Sequence, residues 1–409
     1  MRYAIESSLP THSDFIRRYV VDTANYSISD ESGEIDFSSL ARAYRIQDFP
    51  TKKSFAFSPK NPLIGKAKTL FKLRIQLGLA CNYNCTYCLQ SKLRYEALKA
   101  PKNEAIDALL KKIDQSGVRL DPSAYIEIWG GEPLVYWDSA RYLAQRLREI
   151  YGWKRHLALY TNGVLLNDEI VNTLLKFRIK ITISHDGPGQ ALRNPDDPLK
   201  NPEICARWKR YIRQFREAEI PLSIFSVLTP KNCDLKALRQ FFVDRLDKNI
   251  HVGFGGVASE SENLPDTCLF TESDAAKLRL SVFDALVTEP ENWPGLHRRV
   301  ANLMTRFIKR IPSSSIRSHC NSAEPTFLNV DVYGNILSCQ NRPASHAGIG
   351  SIEDVVGICN DKFTHWTLRP HCSDCLVLGS CKGACPDLSD GAFVRCCTNE
   401  YAFHSAIFY

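Results

Sequence analysis

Residues 71–88 read FKLRIQLGLACNYNCTYC, in which a β-rich run leads directly into three cysteines. Cys81, Cys85 and Cys88 have the spacing C-x3-C-x2-C. Three thiolates on one loop can hold three corners of a cubane [4Fe–4S] cluster and leave the fourth iron open, as catalysis at a metal requires. A structural zinc loop is the alternative, although zinc usually takes a fourth ligand and no Cys or His follows closely downstream.

Beyond this run, short β-rich segments alternate with amphipathic helical patterns. Strands are predicted at 71–79, 124–130, 155–163, 180–187, 220–229 and 251–257, and helices at 103–117, 138–151, 167–177, 200–218, 234–247 and 272–288. This alternation predicts βαβ units around a parallel sheet. Six such units predict an α/β fold, a partial (β/α)6 TIM-type barrel with its site at the carboxyl ends of the strands.

Two flanking regions depart from this rhythm, so we predict three domains. Residues 1–70 form an N-terminal extension of mixed pattern, with one helical signal near 12–22. Residues 71–311 form the barrel. Residues 312–409 hold nine of the fifteen cysteines and show little periodicity, which predicts a loop-rich domain organised around metal.

The composition narrows the class of protein. The chain has 409 residues, 15 Cys and a formal net charge of +7, which bound iron–sulfur clusters would partly offset. An odd Cys count without an export signal argues against a disulfide scaffold and favours the cytoplasm. The absence of a long Lys/Arg run argues against nucleic-acid binding, and no apolar stretch approaches the ~18 residues of a membrane helix.

The cysteine loop and the segments after the next strands resemble a known family. CNYNCTYC resembles the signature of the radical S-adenosylmethionine (SAM) enzymes, and residues 130–133 resemble their GGEP segment, whose backbone and Glu bind the methionyl amine of SAM. The resemblance implies a SAM-binding [4Fe–4S] cluster, with Ser184 at the ribose and Arg193 at the SAM carboxylate. The implied cofactor-binding residues are Tyr87, Gly130, Gly131, Glu132, Pro133, Asn162, Ser184 and Arg193.

The tail resembles the SPASM extension of radical SAM enzymes, which carries two auxiliary iron–sulfur clusters. The resemblance assigns Cys320, Cys339 and Cys385 to the first auxiliary cluster. It assigns Cys372, Cys375, Cys381 and either Cys396 or Cys397 to the second. Relatives have a further Cys between the first two positions, whereas residues 321–338 contain none. The first cluster therefore has an open iron, or a fourth ligand completes it. That ligand could be Cys359, the spare cysteine of the 396–397 pair, or a residue elsewhere in the chain.

Family members with this tail act mostly on peptides, and auxiliary clusters suit an oxidative outcome. HDGPGQ (185–190) and CCTNEYAFH (396–404) look similar to maturases that make cyclophane and darobactin-type cross-links. We therefore expect a maturase that oxidatively cross-links side chains of a ribosomal precursor peptide, most simply through a carbon–carbon bond, with ether or thioether as alternatives. The expected partners are this peptide, whose leader would bind a partial leader-binding element within 1–70, and an external electron donor of the flavodoxin or ferredoxin type.

Several alternatives stay open at this point. The general base is unknown; His185 is a candidate, with a structural hydrogen bond as its other interpretation. A sulfatase-maturing (formylglycine-forming) or small-molecule dehydrogenating enzyme of the same family would need no leader-binding element. A non-catalytic iron–sulfur electron carrier would not cleave SAM, and a zinc-organised binding module would be colourless.

Overall fold

The computed structural model describes most of the chain. The described residues are 2–9, 12–23, 25–30, 32–35, 65–90, 100–355, 358–359 and 362–407. Much of the predicted N-terminal extension, including 36–64, lies outside them. No helix among these residues combines the length and apolar character that a membrane span requires.

Six parallel strands form the centre of the fold, as the sequence predicts. They are β5 (Thr69–Gln76), β6 (Arg119–Trp129), β7 (His156–Thr161), β8 (Ile179–Ser184), β9 (Leu222–Leu228) and β10 (His251–Val257), each paired in parallel with the next. The helices that follow them are α1 (Asn103–Gln115), α2 (Trp137–Tyr151), α3 (Asp168–Lys176), α4 (Pro202–Glu217), α5 (Leu235–Arg245) and α6 (Glu272–Thr288). The predicted partial-barrel class is confirmed.

Alternation along the strands separates an apolar outer face from a polar inner face. The outer face packs under the helices; its buried members include Leu73, Ile75, Ile126, Ile128, Leu157, Leu159, Ile181, Ile183 and Ile224. The inner face carries charge instead. Glu127 is buried there and pairs with Lys72 Nζ at 2.7 Å and with Arg74 Nε at 2.7 Å. The barrel interior is therefore a polar chamber rather than a second core.

The N-terminal residues form a separate antiparallel sheet of four strands in sequence order. These are β1 (Arg2–Leu9), β2 (His12–Asp22), β3 (Ser27–Asp30) and β4 (Gly33–Glu34). The helical signal near 12–22 was wrong, because this segment pairs with β1 from end to end. The exposed Val20 and buried Val21 show the alternation of a strand, and β-branched residues favour that conformation.

This N-terminal sheet packs against the cysteine-rich tail. Tyr26, directly before β3, is fully buried, and its ring meets that of Phe307 edge-on with centroids 5.2 Å apart. The absence of a side chain at Gly379 makes room for the Tyr26 ring, since a Cβ at Gly379 would lie 2.4 Å from the Tyr26 hydroxyl oxygen. Val21 and Tyr26 share one apolar cluster with Cys372, Cys381 and Cys385. The first and last parts of the described chain are therefore packed together.

The tail contains more regular structure than the sequence predicted. Helix α7 (Pro294–Ile308) precedes it, and β11 (Phe327–Asp331), β12 (Asn335–Leu337) and β13 (Gly348–Ser351) extend the central sheet to nine strands. Two four-residue helices, α8 (Ala344–Ala347) and α9 (Leu378–Cys381), and a long helix α10 (Asp390–Ser405) complete it. Strand β11 pairs in parallel with β5, so the sheet continues across the predicted boundary at 311/312, and that division stays a prediction.

Because β11 is buried beside β5, truncating its core side chains should destabilise the whole fold. Leu328 has no exposed surface. We expect Leu328→Ala to lower the free energy of unfolding by about 2–4 kcal/mol, measured by anaerobic urea denaturation. Leu368→Ala, at a side chain that is 73% exposed, is the control and should change it by less than about 0.5 kcal/mol. Equal effects would mean that β11 adds nothing to the central core.

Candidate active site

A cavity of about 350 Å³ opens where the parallel strands end. It brings together residues that lie far apart in the sequence. Of the residues predicted around the first cysteine loop, those lining it are Cys81, Cys85, Tyr87, Cys88, Gly130, Gly131, Glu132, Asn162, Ser184 and Arg193. Pro133 is buried beneath them at the start of a short turn, and His185 does not line the cavity. The carboxyl ends of the strands therefore hold the predicted constellation, as expected for a barrel.

The three thiols of the loop sit in surroundings that suit an iron ligand set. The Tyr83 and Gln90 backbone N–H groups donate to Cys81 Sγ at 3.4 Å and to Cys88 Sγ at 3.3 Å. Burial raises the pKa of the Cys85 thiol to about 12, although the positive charge of Arg193 acts to lower it. A metal ion deprotonates a coordinating thiol outright. The donor set of three sulfurs with N–H donors aimed at two of them fits a cluster with one open iron.

The two glycines of the GGEP segment let its backbone lie directly against the chain that leads into the loop. Gly131 N–H donates to Gly78 O at 3.0 Å, and Glu132 N–H donates to Ala80 O at 2.9 Å. A Cβ on Gly131 would lie 2.3 Å from the Leu79 carbonyl oxygen, closer than any side chain could approach. Glycine is therefore required where this segment meets the cysteine loop.

The Glu132 carboxylate is the centre of a buried hydrogen-bond cluster. Its Oε1 accepts from Thr161 Oγ1 at 2.8 Å and from Leu134 N at 3.0 Å, and its Oε2 accepts from Asn162 N at 2.7 Å. Burial raises the pKa of Glu132 to about 7, although these hydrogen bonds oppose the rise. Removing the carboxyl group from water thus leaves it poised between its two protonation states near neutral pH.

Two further contacts tie the cysteine loop to its neighbours. Asn162 Nδ2 donates to Asn82 Oδ1 at 2.7 Å, so the turn after β7 holds the loop directly. The Tyr136 hydroxyl accepts from Ala80 N at 2.8 Å. The resemblance marks Asn162 as a cofactor-binding residue, but it gives no sign that Asn162 or Tyr136 contacts the cysteine loop. Only the fold reveals that both anchor the loop.

Arg193 lines the cavity and forms a buried ion pair with Asp186, which the sequence did not indicate. Its Nη2 donates to Asp186 Oδ1 at 3.0 Å, and Asp186 also accepts from Val227 N at 2.9 Å and from the Tyr87 hydroxyl. Burial raises the pKa of Tyr87 well above its usual value, so Tyr87 is a neutral donor. Arg193 Nε is buried with no hydrogen-bond partner among the described residues. One donor of this guanidinium therefore remains for another group.

The structure places the base candidate His185 outside the cavity. The ring is fully buried between Trp208, Phe241 and Phe242, and its Nε2 lies 3.0 Å from Asp197 Oδ1. Its Nδ1 accepts from Gly187 N at 3.0 Å. Both ring nitrogens are thus engaged, and burial lowers the pKa of His185. This arrangement is the structural hydrogen bond that the sequence left as the other interpretation.

The cysteines of the tail fall into two groups with different neighbours. In the first group, burial raises the pKa of Cys320, Cys339 and Cys385, and the charges of Cys320 and Cys339 add to the rise at Cys385. A buried lysine adjoins this group. Lys66 Nζ donates to the carbonyl oxygens of Ser322 at 2.6 Å and Phe327 at 2.8 Å. Burial lowers the pKa of Lys66 to about 8, although the charge of Cys320 acts to raise it.

Of the adjacent Cys396 and Cys397, Cys397 interacts electrostatically with the other cysteines of the second group. Burial raises the pKa of Cys372 to about 12, and the nearby charge of Cys397 raises it further. Cys397 likewise acts on Cys381, and Cys375 acts on Cys397. Cys396 instead donates from its Sγ to Ser261 O at 3.6 Å. Successive residues of helix α10 point about 100° apart, so the pair cannot share one direction.

A buried polar network that the sequence did not reveal joins the cavity to the second group. Glu400 Oε2 lies 3.0 Å from His404 Nε2, and His404 Nδ1 lies 2.7 Å from Ser380 Oγ. Burial alone would raise the pKa of Glu400, but the contacts with His404 and Ser259 and the charge of His319 hold it at about 2. Ligand atoms of Cys381, Glu400 and His404 all lie within 4.8 Å of one another. The carboxylate is therefore a fixed negative charge beside Cys381.

Residues from the tail share the wall of the same cavity. His319, Asn341, Glu400 and His404 line it together with the cysteine loop, and so does Glu260, which follows β10. The wall of the cavity thus contains Cys81, Cys85 and Cys88 together with residues adjacent to both tail cysteine groups. The backbone N–H of Asn341 donates to Cys339 Sγ at 3.5 Å, which links this wall to the first group.

Comparison with known proteins agrees with this geometry. Residues 75–241 match the model of the Radical SAM superfamily. The chain is 29% identical over 158 residues to the radical SAM cyclopropyl synthase TigE of Paramaledivibacter caminithermalis, covering 34% of each protein. It is 22% identical over 365 residues to the serine-type anaerobic sulfatase-maturating enzyme of Bacteroides thetaiotaomicron, covering 78% of this chain and 83% of that protein.

The similarity to solved structures extends beyond residues 75–241 to most of the chain. Native anSMEcpe with bound AdoMet superposes with a TM-score of 0.60 at 18% identity, over 82% of this chain and 97% of that one. Streptococcus suis SuiB superposes with a TM-score of 0.50 at 15% identity, over 91% of this chain and 95% of that one. The cysteine loop, the Glu132 carboxylate and the first strands of the parallel sheet thus lie in a radical SAM domain, residues 75–241 of this chain.

Proposed function

We propose that this radical SAM enzyme is a peptide maturase that oxidatively cross-links side chains of a ribosomally made precursor. The observation that carries the proposal is the shared cavity, whose wall contains both the three-cysteine loop and residues beside both tail cysteine groups. A C–H bond held in this cavity would be exposed both to radical chemistry at the loop and to redox groups in the tail. Such an arrangement suits oxidation better than simple hydrogen transfer.

The residues around the loop have separate tasks in this proposal. Cys81, Cys85 and Cys88 would hold the [4Fe–4S] cluster, which together with SAM would supply the radical chemistry that removes a hydrogen atom from an unactivated C–H bond. We assign the methionyl amine to Glu132 and the Gly130–Gly131 backbone, the ribose to Ser184, and the SAM carboxylate to Arg193. The free Nε–H of Arg193 supports its assignment. The cysteine loop and the Glu132 carboxylate are held in position relative to each other by the contacts of Asn82, Asn162 and Tyr136.

We further propose that the tail holds two auxiliary [4Fe–4S] clusters. Cys320, Cys339 and Cys385 hold the first, and Cys372, Cys375, Cys381 and Cys397 hold the second. The electrostatic contacts of Cys397 with the other three support its choice over Cys396. When bound, these clusters would supply redox groups able to take up the electron that the oxidised substrate loses. The proposed external electron donor is a flavodoxin or ferredoxin type protein. We place this chemistry in the cytoplasm.

A peptide substrate is supported by the relatives, and one of them favours a second candidate. The sulfatase-maturating enzyme aligns with 78% of this chain, much more than TigE does, so a sulfatase-type protein is the alternative substrate. The four-stranded N-terminal sheet favours the peptide interpretation, because a sheet edge can bind an extended leader by strand addition. We propose this sheet as part of a leader-binding element within residues 1–70.

Mass spectrometry of a co-expressed substrate tests the proposed reaction. Each short peptide encoded beside the gene is expressed with the enzyme, and a Cys81→Ala variant serves as the inactive control. We expect one peptide to become lighter by two hydrogens per event, with fragmentation blocked between the joined residues. Unmodified peptides together with formylglycine in a co-expressed sulfatase would instead establish the alternative.

The raised pKa of Glu132 predicts that SAM binding depends on pH. The ammonium of SAM needs the carboxylate, whereas a group with a pKa of about 7 is mostly protonated at pH 6. Binding below pH 7 must therefore expel a proton, so affinity should be about tenfold weaker at pH 6 than at pH 8. Isothermal titration calorimetry on the reconstituted protein measures this difference.

Replacing Glu132 by Gln removes the carboxyl group whose protonation makes SAM binding depend on pH. Glu132→Gln should weaken SAM binding at pH 8 by about 10- to 100-fold and abolish the dependence on pH. Glu104→Gln, at an exposed position in the first turn of α1, is the matched control and should leave both unchanged. A pH dependence that survives in Glu132→Gln would assign it to another group.

The choice between the paired cysteines predicts different iron contents. Cys397→Ser should lose the second auxiliary cluster, about four iron atoms per chain after anaerobic reconstitution. Cys396→Ser changes the neighbouring residue of the same helix and should retain the full iron content. Loss of iron from Cys396→Ser alone would reverse the assignment.

A further inference from the structure

A second cavity, of about 240 Å³, lies on the inner face of the last three parallel strands. Strand pairing aligns its polar side chains: Thr182 of β8 is opposite Ser223 of β9, and Ser223 is opposite His251 of β10. Lys180 lies two residues before Thr182 and therefore points to the same face of the sheet. The amino-terminal part of α7, which includes Arg298, forms another wall. The fold thus gathers side chains from three strands and one helix around a single space.

The second cavity and the reaction cavity are neighbours, because Tyr160 and Phe225 line both of them. Strand β10 runs along both cavities with glycine in each: Gly253 lines the second cavity, and Gly255 lines the reaction cavity. A Cβ at Gly255 would lie 2.8 Å from Phe225 Cε1, so a side chain there would crowd the boundary. A peptide held in the reaction cavity therefore lies close to the second cavity.

The second cavity is basic. Lys180, His251 and Arg298 line it, and no Asp or Glu is among the described residues that do so. Within the described part of the chain, none of these three groups has a carboxylate at hydrogen-bond or ion-pair distance. The Lys180 ammonium lies over the Tyr125 ring instead, 5.8 Å from its centroid. Burial lowers the pKa of His251, and the charges of Lys180 and Arg298 act in the same direction. An anion between them would relieve this repulsion.

The nearest carboxylate in the strand register is already paired with other cations. Glu127 and Lys180 lie in one row of the inner face, two strands apart. Glu127 is buried and lies 2.7 Å from Lys72 Nζ and 2.7 Å from Arg74 Nε. Its charge is thus compensated inside the barrel, which leaves Lys180 and Arg298 without a matching anion among the described residues. Two unmatched cations in one cavity favour the binding of an anionic group.

We propose that the second cavity binds a carboxylate of the peptide substrate and thereby sets which residue of the peptide enters the reaction cavity. Lys180 and the guanidinium of Arg298 supply the charge, and a guanidinium matches a carboxylate in shape. The Thr182 and Ser223 hydroxyl oxygens, 3.2 Å apart, supply neutral hydrogen bonds. The inference rests on the proposed function and deepens it, because it assigns an acidic anchor to the substrate.

An anchored carboxylate would act as a ruler for the reaction. An extended chain advances by about 3.3 Å per residue, so a peptide fixed at one carboxylate presents residues at set spacings from it. The carboxylate can belong to an acidic side chain or to the carboxyl terminus of the peptide. Both sources offer the same chemistry to the cavity, and the probes below distinguish them.

The test measures peptide binding by fluorescence anisotropy on the full-length, anaerobically reconstituted enzyme with SAM. Three pentapeptides carry an uncharged fluorophore on the amino terminus. The first is Gly-Phe-Glu-Phe-Gly with an amidated carboxyl terminus, the second has Gln in place of Glu, and the third is the Gln peptide with a free carboxyl terminus. The enzyme variants are Lys180→Met and Arg298→Gln, and the iron content of each verifies that the fold is retained. Lys176→Met is the matched control, because this exposed lysine of α3 does not line the cavity.

We expect the Glu peptide to bind about tenfold more tightly than the amidated Gln peptide at low ionic strength, because a carboxylate gains charge-assisted hydrogen bonds from two cations. Lys180→Met and Arg298→Gln should each reduce this preference to about threefold or less, whereas Lys176→Met should retain it. Added salt should weaken the preference. If only the Gln peptide with a free terminus binds more tightly, the anchored carboxylate is the carboxyl terminus of the substrate.

Equal affinities of all three peptides for the unchanged enzyme, or a preference that both variants retain, would overturn the proposal. The precursor identified by co-expression separates this result from failure of the proposed function. If that precursor is cross-linked, but neutralising its acidic residues and amidating its terminus leave KM unchanged, the second cavity binds no substrate carboxylate. If no precursor is modified while the Glu peptide keeps its preference, the cross-linking reaction is wrong and the carboxylate site remains.

Discussion

Strand β5 is hydrogen-bonded along both of its edges, to β6 on one side and to β11 on the other. Its carboxyl end leads directly into the loop of Cys81, Cys85 and Cys88. Strand β11 lies between Cys320 and Cys339, so its pairing with β5 fixes the first tail group relative to this loop. A shift of one residue in this register would turn every side chain of β5 to the opposite face. The geometry of the whole cavity depends on these two ladders.

The buried Glu132 carboxylate illustrates how the cavity combines rigidity with chemistry. Removing a carboxyl group from water is unfavourable unless hydrogen bonds compensate, and here three donors from two strand ends converge on it. The same contacts hold the GGEP segment and the Thr-Asn-Gly turn together. Asp186 plays a comparable part between Tyr87, Arg193 and the end of β9. Each carboxylate therefore positions neighbouring groups as well as supplying charge.

Short-range patterns predicted the central fold well. The six strands and the six helices that follow them lie within a few residues of their predicted positions, because amphipathic periodicity is a local property of the sequence. The N-terminal sheet and strands β11–β13 were not predicted. The segment at 12–22 shows a mixed pattern whose strand conformation depends on pairing with β1, and the short strands of the tail depend on the edge that β5 presents.

The sequence by itself determined the chemistry of the site: the cysteine spacings, the paired glycines before Glu132 and the order of the motifs after successive strands. Tertiary structure alone decided which side chains share the cavity. It excluded His185 from the cavity, paired Asp186 with Arg193 and gave Cys396 and Cys397 different neighbours, and it brought Ser259, after β10, into contact with Glu400 of the tail. The physical reason is that ligand spacing within a loop is set by a few covalent bonds. Proximity between β10 and the tail is instead set by sheet register and helix packing, which involve the whole chain.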